Sequence, residues 1–268
     1  VKEKTAQDYR RNAAKDILPK LGKLNVDEIG KAVVVRLVDS VAMRAPVMAN
    51  RTLRLLKHFF DWSVGRGHID TNPTLGIPKA IKEAPRQRVL SLLEMQNIYF
   101  AAEGLSPANR LFVQLLMLTA QRAGVIAKLT ADEWHDDHLV IEGERNKSGK
   151  RILVPLPQIA QAKLANVEYA DGPFLVSTTH GLKAISGFSK LKKKIDLLSG
   201  VTNWRFHDIR RGIATHLEDN GVDRFYVERA LTHKDRSVTG IYAKSNHLEI
   251  RRNIFEQWSK VLTSEDGS

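Results

Sequence analysis

Residues 206–217 read FHDIRRGIATHL, and this stretch decides the fold of the second half of the chain. Its apolar residues recur every three or four positions, which is the period of one buried helix face. They are Phe206, Ile209, Ile213 and Leu217. His207 and Arg210 are three residues apart and share another side of the predicted helix. A second His-x-x-Arg pair begins at His233, so this spacing alone is weak evidence and the surrounding sequence decides its meaning.

Three further signals lie on either side of this helix. Downstream, His233 is followed nine residues later by Tyr242, within HKDRSVTGIYAK. Upstream, Arg122 comes just after a long apolar stretch that predicts a buried helix. Between Arg122 and the helix, two short apolar runs flank the polar segment GERNKSGK and predict a β-hairpin with Lys147 at its tip. The chain therefore carries an arginine, a hairpin lysine, a His-x-x-Arg pair, a histidine and a tyrosine, in that order.

These residue types suit the attack of a tyrosine on a phosphodiester. A phenol with a pKa near 10 is only about 0.1% ionised at pH 7, so it is a poor nucleophile without help. The attack builds negative charge on the non-bridging oxygens, which planar and permanently charged guanidinium groups can hold. Arg122 and Arg210 fit that role, and the histidines can supply hydrogen bonds and move protons near neutral pH. This chemistry needs no metal and no cofactor.

In this order, and with these neighbours, the residues resemble the tyrosine recombinases, the family of phage and genomic-island integrases. The VPL that follows the hairpin and the TGIY that ends at Tyr242 add to the resemblance, which extends over nearly the whole chain. Two positions depart from the family pattern, because Val125 stands where an acid is usual and Thr232 where a glycine is common. Neither departure removes a catalytic group.

The resemblance implies a role for each of six residues. The two arginines would bind the scissile phosphate, the hairpin lysine would protonate the leaving 5′-oxygen, and the histidines would assist. The tyrosine would form a 3′-phosphotyrosyl bond, from which the strand is rejoined without ATP. The six catalytic candidates are Arg122, Lys147, His207, Arg210, His233 and Tyr242. Tyr226 competes as the nucleophile, but the apolar residues on its own helix indicate packing instead.

The fold that the resemblance implies is mainly α with a small antiparallel β-sheet. It consists of a helical N-terminal core-binding domain and a mixed α+β catalytic domain of the tyrosine-recombinase type. Capping patterns at Thr5 and Asn25 predict the first two helix starts, and an amphipathic helix follows over about residues 50–64. Beyond the hairpin, periodicity predicts helices at about residues 158–169, 183–198, 206–219, 222–231 and 246–262.

Two features of the sequence predict where the domains begin and end. The segment PKAIKEAPRQR is polar, basic and bounded by prolines, as linkers are, and Ser91 with Glu94 then forms a new helix start. We expect residues 1–80 to form the core-site DNA-binding domain, residues 81–90 a linker and residues 91–268 the catalytic domain. The chain begins without a methionine, so we expect a fragment that lacks an N-terminal arm-binding domain.

The charge of the chain favours a polyanionic partner. Lys and Arg number 42 against 30 Asp and Glu, a formal net charge of +12. No acid lies between Asp39 and Asp61, and the basic residues of that stretch are candidates for contacts with DNA phosphates. These candidates are Arg44, Arg51, Arg54 and Lys57. The alternative is that they form the solvated face of an amphipathic helix.

Several classes of protein are excluded by composition and spacing. The chain has no cysteine, which excludes a disulfide scaffold and a thiolate metal site and indicates a reducing compartment. No apolar stretch approaches the roughly 20 residues that span a bilayer, so no membrane partner is expected. GERNKSGK lacks the spacing of a P-loop, and the HDDH that starts at His135 is typical of a solvated turn rather than a metal site.

We therefore expect a site-specific recombinase that integrates or excises a mobile element, such as a prophage, through a Holliday junction. The implied partners are double-stranded DNA with core recombination sites, further copies of the chain in a tetramer on DNA, and DNA-bending accessory proteins. The implied location is the bacterial cytoplasm, at the nucleoid. The alternatives are a type IB topoisomerase, a non-catalytic DNA-binding regulator, and an RNA-binding protein, for which no aromatic-rich motif is visible.

Apolar residues also recur at helical spacing beyond Tyr242. They are Ile250, Ile254, Trp258 and Leu262. This face would either dock on a neighbouring subunit or pack within its own subunit, and the sequence leaves both alternatives open.

Overall fold

The structure is a computed structural model that describes residues 3–145, 149–167, 172–231 and 247–264. The chain divides into two compact units, Val1–Arg86 and Gln87–Ser268. No helix among the described residues is long and apolar enough to cross a membrane.

The first unit is helical. Its helices are α1 (Glu3–Asn12), α2 (Leu18–Leu21), α3 (Lys31–Ala42) and α4 (Pro46–Gly65), with a π-helical turn at Ala13–Ile17 and a 3₁₀ turn at Val26–Glu28. Helix α4 begins with Pro46, whose fixed φ suits the first helical position. Leu53, Leu56 and Phe60 lie on the buried face of α4, where they join the apolar residues of α3 in one core.

The two capping patterns of the first unit did not mark the helix starts as predicted. Helix α1 already begins at Glu3, two residues before Thr5. The capping box of Asn25 and Glu28 is present, but it closes the 3₁₀ turn and not a long helix. The backbone after that turn leaves the helical region at Ile29 and is extended at Gly30, so α3 starts only at Lys31.

The second unit combines eight described helices with one small sheet. Its helices are α5 (Leu92–Ala101), α6 (Pro107–Thr119), α7 (Ala123–Ile126), α8 (Gln158–Ala165), α9 (Phe188–Ser199), α10 (Phe206–Asp219), α11 (Arg224–Ala230) and α12 (Leu248–Thr263). Its strands β1 (Trp134–His135), β2 (His138–Ile141) and β3 (Ile152–Pro155) are antiparallel in the order β1-β2-β3. The predicted fold class, mainly α with a small antiparallel sheet, is confirmed, and so is the hairpin.

Local backbone geometry explains where the predicted bounds hold and where they do not. Helix α10 has the predicted bounds, and the Ser91 capping box opens α5 as expected. Helix α9 begins at Phe188, five residues later than predicted, because Gly187 before it adopts a left-handed conformation with φ of 75°.

The core of the second unit is centred on α6, of which the residues from Leu115 to Leu118 are almost completely buried. Helix α10 packs its predicted apolar face into the same core. Helix α12 does so as well, and the indole Nε1 of Trp258 donates a hydrogen bond to the carbonyl of Met117 at 2.7 Å. Ile254 and Leu262 are also buried there, whereas Ile250 is exposed. Most of this apolar face therefore packs within its own subunit.

The first residues of the predicted linker form hydrogen bonds with the first unit, and its last residues contact the second unit. The side-chain amide of Asn50, on α4, donates to the carbonyl of Ile81 at 2.9 Å and to the carboxylate of Glu83 at 2.8 Å. At the other end, Arg88 forms an ion pair with Glu94, and Leu90 is buried in the core of the second unit.

Candidate active site

Arg210 is the structural centre of the site. It lies on α10 with only 3% of its surface exposed. Its Nη1 donates a hydrogen bond to the carbonyl of Ala120 at 2.8 Å, and its Nη2 donates to the carbonyl of Leu231. Ala120 is two residues before Arg122, and Leu231 is two residues before His233. One guanidinium group thus joins three separate stretches of the chain that carry predicted catalytic residues.

The chain reaches Arg122 through a constrained turn. Helix α6 ends at Thr119, and the next residue, Ala120, is fully buried and left-handed with φ of 51°. A left-handed alanine costs roughly 1–2 kcal/mol, so surrounding contacts have to hold it. One of them is made by the buried Gln121, whose Nε2 donates to the carbonyl of Thr119 at 3.0 Å and to that of Ala230 at 3.4 Å. Arg122 follows with an extended backbone at the start of α7, and its side chain is half-buried.

The electrostatics of this turn favour a bound anion. Burial, together with a smaller effect of the positive charge of Arg122, lowers the pKa of Arg210 to about 9. Arg210 remains protonated at neutral pH, because about 9 is still two units above 7. Two cations this close repel each other, and an oxyanion between them would relieve that repulsion. A phosphodiester carries such an oxyanion.

His207 stands at the start of α10, beside the arginines. Its side chain is exposed at the surface, yet the protein atoms around the ring lower its pKa by desolvation. The charges of Arg210 and Arg211 lower the pKa of His207 further, against a weaker opposing effect of Asp208. The imidazole is therefore neutral at pH 7 and can accept or donate one hydrogen bond.

Asp208 fixes the start of the helix that carries these residues. It is 2% exposed, and its carboxylate accepts a hydrogen bond from the backbone N–H of Arg205 at 2.9 Å. This contact satisfies a donor just before the first turn of α10 and sets where the helix begins. Sequence reasoning had passed over Asp208, although its position three residues after Arg205 is the spacing of a capping box.

The structure brings together three of the six predicted catalytic residues, namely Arg122, His207 and Arg210. The other three, Lys147, His233 and Tyr242, lie outside the described residues. The competing tyrosine, Tyr226, is half-buried on α11 and packs against the core, as its neighbours predicted.

The structure also reveals an ion pair that sequence reasoning missed. Arg145, in a 3₁₀ turn at Gly143–Arg145, pairs with the buried carboxylate of Glu133, and its Nη2 donates to the carbonyl of Val125 at 3.2 Å. The pair links α7, the segment before β1 and the segment after β2. The only available signal was the spacing of Thr130 and Glu133, which form a capping box.

The predicted DNA-binding residues of the first unit fall into two groups. Arg51, Arg54 and Lys57 are exposed on α4, on the side away from its buried face. Arg44 precedes that helix and forms an ion pair at 2.6 Å with Asp16, whose side chain is only 5% exposed. Part of the charge of Arg44 is therefore already neutralised within the unit.

A mainly helical unit with a small sheet, built around adjacent buried and half-buried arginines, is the arrangement expected of a DNA strand transferase of the tyrosine recombinase class. Residues 88–249 match the phage integrase family, and residues 1–80 match the phage integrase central domain. The chain belongs to the phage integrase family, and its function is site-specific recombination of DNA.

Relatives agree with this assignment, and solved structures share the fold. The integrase of Escherichia phage HK022 is 26% identical to the chain, over 97% of this chain and 73% of the relative. Tyrosine recombinase XerD of Listeria innocua is 27% identical, over 80% of this chain and 77% of the relative. A structure of a lambda integrase tetramer bound to a Holliday junction superposes with a TM-score of 0.72, at 22% identity, over 89% of this chain and 74% of that one. At this identity the structural likeness concerns the fold.

Proposed function

We propose that the chain cuts one DNA strand with Tyr242 and holds the broken end as a 3′-phosphotyrosine until a 5′-hydroxyl displaces it. The observation that supports this assignment is the position of Arg210, whose hydrogen bonds join the turn before Arg122 to the residue two positions before His233. Arg122 and Arg210 are far apart in sequence, and the guanidinium of Arg210 bonds α10 both to the turn before Arg122 and to Leu231.

In this proposal the positive charge acts on the phosphate and the other groups move protons. Arg122 and Arg210 bind the non-bridging oxygens, where charge develops in the transition state. Lys147 gives a proton to the leaving 5′-oxygen, and His207 and His233 assist by hydrogen bonding. A neutral His207, which its lowered pKa supports, can accept a proton or a hydrogen bond at pH 7.

We also propose a division of labour between the two units. Residues 1–80 bind the core site, residues 81–90 connect the units and residues 91–268 carry out the chemistry. The exposed side chains of Arg51, Arg54 and Lys57 support a helix that lies along a phosphate backbone, with Arg44 as a weaker contact because of its pairing with Asp16.

The assembly we propose is a tetramer of the chain on two double-stranded core sites, which exchanges strands in pairs through a Holliday junction. The lambda integrase tetramer on such a junction, which shares the fold, supports this arrangement. DNA-bending accessory proteins would bring the sites together, and an enzyme with DNA as its substrate would act at the bacterial nucleoid.

A nicked suicide duplex tests the proposal, because a covalent adduct accumulates when the cut strand diffuses away. Wild type is expected to give an adduct that survives denaturing electrophoresis, and Tyr242→Phe none, since only the phenol oxygen is lost. Tyr226→Phe is the matched control and should leave adduct formation unchanged. An adduct with Tyr242→Phe, or its loss with Tyr226→Phe alone, would overturn the assignment of the nucleophile.

A further inference from the structure

Arg145 lies where the hairpin leaves the sheet, and its guanidinium is held from two sides. Its Nη2 donates to the carbonyl of Val125 at 3.2 Å, and its Nη1 pairs with Glu133. Val125 is on α7, the helix that starts just after Arg122, whereas Glu133 belongs to the 3₁₀ turn that leads into β1. The side chain of Arg145 therefore bonds the base of the hairpin to the helix that follows Arg122.

The carboxylate of Glu133 is buried where it makes this contact. Only 7% of its side chain is exposed, and its Oε2 also accepts a hydrogen bond from the backbone N–H of Thr130 at 3.2 Å. The side chain of Arg145 is 25% exposed, and desolvation lowers its pKa. A buried carboxylate with a partly buried guanidinium holds a defined geometry, because separating the two leaves a buried charge without its partner.

We propose that Arg145 and Glu133 are positioning residues that hold the base of the hairpin against α7, and that loosening this contact slows the step assigned to Lys147. The inference rests on the roles of Lys147 and Arg122 given under the proposed function. Arg145 precedes Lys147 by two residues, which span at most about 7 Å of chain. Releasing the side chain of Arg145 therefore acts directly on the placement of the lysine.

The affected step is the departure of the 5′-oxygen. The bond between phosphorus and the tyrosine oxygen forms, the bond between phosphorus and the 5′-oxygen breaks, and the phenol proton passes to a base. The ammonium of Lys147 gives a proton to the departing oxygen and becomes a neutral amine. With a bridging 5′-sulfur in place of that oxygen, the leaving group departs as a stable thiolate and needs no proton.

Single-turnover cleavage of suicide duplexes with a 5′-bridging oxygen or sulfur tests the inference. Arg145→Met is expected to cleave the oxygen substrate about 10- to 100-fold more slowly than wild type, as a small misplacement of a reacting group does. It is expected to cleave the sulfur substrate within about threefold of wild type. Arg151→Met is the matched control, because Arg151 forms an exposed ion pair with Glu142 near the same hairpin. It should match wild type on both substrates.

Two further variants separate the possible failures. The double variant Glu133→Gln, Arg145→Met removes both charges, so it leaves no buried charge without a partner and should show the same rescue by sulfur. Lys147→Ala should also be rescued by sulfur. If Lys147→Ala is rescued but neither Arg145 variant is, the positioning role is wrong and the role of Lys147 stands. If Lys147→Ala is not rescued, the proposed role of Lys147 fails and this inference fails with it.

Discussion

Replacing Arg210 by methionine is expected to abolish most cleavage while changing the free energy of unfolding little. The variant loses two charge-assisted hydrogen bonds to the buried carbonyls of Ala120 and Leu231, worth about 1.5–3 kcal/mol each. In the opposite direction, it removes a buried charge. The fall in the pKa of Arg210 from 12.5 to about 9 corresponds to about 4–5 kcal/mol of unfavourable burial and repulsion by Arg122 taken together. These two effects nearly cancel, so we expect a net change within about 2 kcal/mol.

The loss of catalysis in Arg210→Met is not offset by any opposing effect. Two of the five N–H groups of Arg210 are used on the carbonyls, which leaves the others for a phosphate. Loss of a preorganised donor to the developing charge costs at least about 100-fold in rate. Arg210→Met should therefore cleave a suicide duplex at least about 100-fold more slowly, and a 5′-bridging sulfur should not restore the rate, since the leaving group is unaffected.

Two measurements on Arg210→Met test these expectations. Urea unfolding, monitored by circular dichroism, gives the free energy of unfolding, and single-turnover cleavage gives the rate. Arg224→Met is the control, because Arg224 is 77% exposed in an ion pair with Glu228 and should matter to neither. A destabilisation above about 4 kcal/mol would mean that the carbonyl contacts outweigh the burial of charge. Cleavage within tenfold of wild type would refute the role of Arg210 at the phosphate.

Two other predictions concern charges whose surroundings differ. Arg54→Ala should reduce the slope of log affinity for DNA against log salt by about 0.9 on specific and random duplexes alike, whereas Arg44→Ala should reduce it less, because Asp16 already holds its charge. An unchanged slope for Arg54→Ala would mean that Arg54 belongs to a solvated face of α4 and does not contact DNA. By NMR, His207 should titrate below pH 6.5, and Arg122→Met should move its midpoint upward. Since the folded state lowers this pKa, His207 contributes stability that is present above pH 6.5 and is lost as the pH falls through its folded-state pKa. A midpoint unaffected by Arg122→Met would show that the two side chains are not electrostatically coupled.

The elements that the sequence predicted well are those set by local pattern. The apolar period of α10, the two short apolar runs of the hairpin and the capping box at Ser91 each depend on residues a few positions apart. The start of α3 was predicted too early, because a capping box fits a single 3₁₀ turn as well as a longer helix. Its continuation depends on the backbone angles at Ile29 and Gly30, which no capping pattern specifies.

The reactive groups of the candidate site could be predicted from the sequence, but the groups that hold them in place could not. The order of Arg122, His207 and Arg210 could be taken from the sequence and the family resemblance. The partners of Arg210 are main-chain carbonyls, which every residue carries and which therefore leave no signature in the sequence. The partner of Arg145 is the side chain of Glu133, twelve residues away. The sequence contains many glutamates, and nothing in it indicates which of them pairs with Arg145.

Because the partners of Arg210 are main-chain carbonyls, they also determine which mutations the site tolerates. A carbonyl stays in place when the side chain of its residue changes, so the contact at Leu231 should survive most substitutions that keep the backbone path. At Ala120 the left-handed backbone narrows the choice further, since a β-branched residue is disfavoured there. A one-residue insertion or deletion in either segment would instead present the wrong carbonyl to the guanidinium. In this part of the fold, chain length is under tighter constraint than residue identity, and chimeras between relatives should be joined so that the spacings from 120 to 122 and from 231 to 233 are kept.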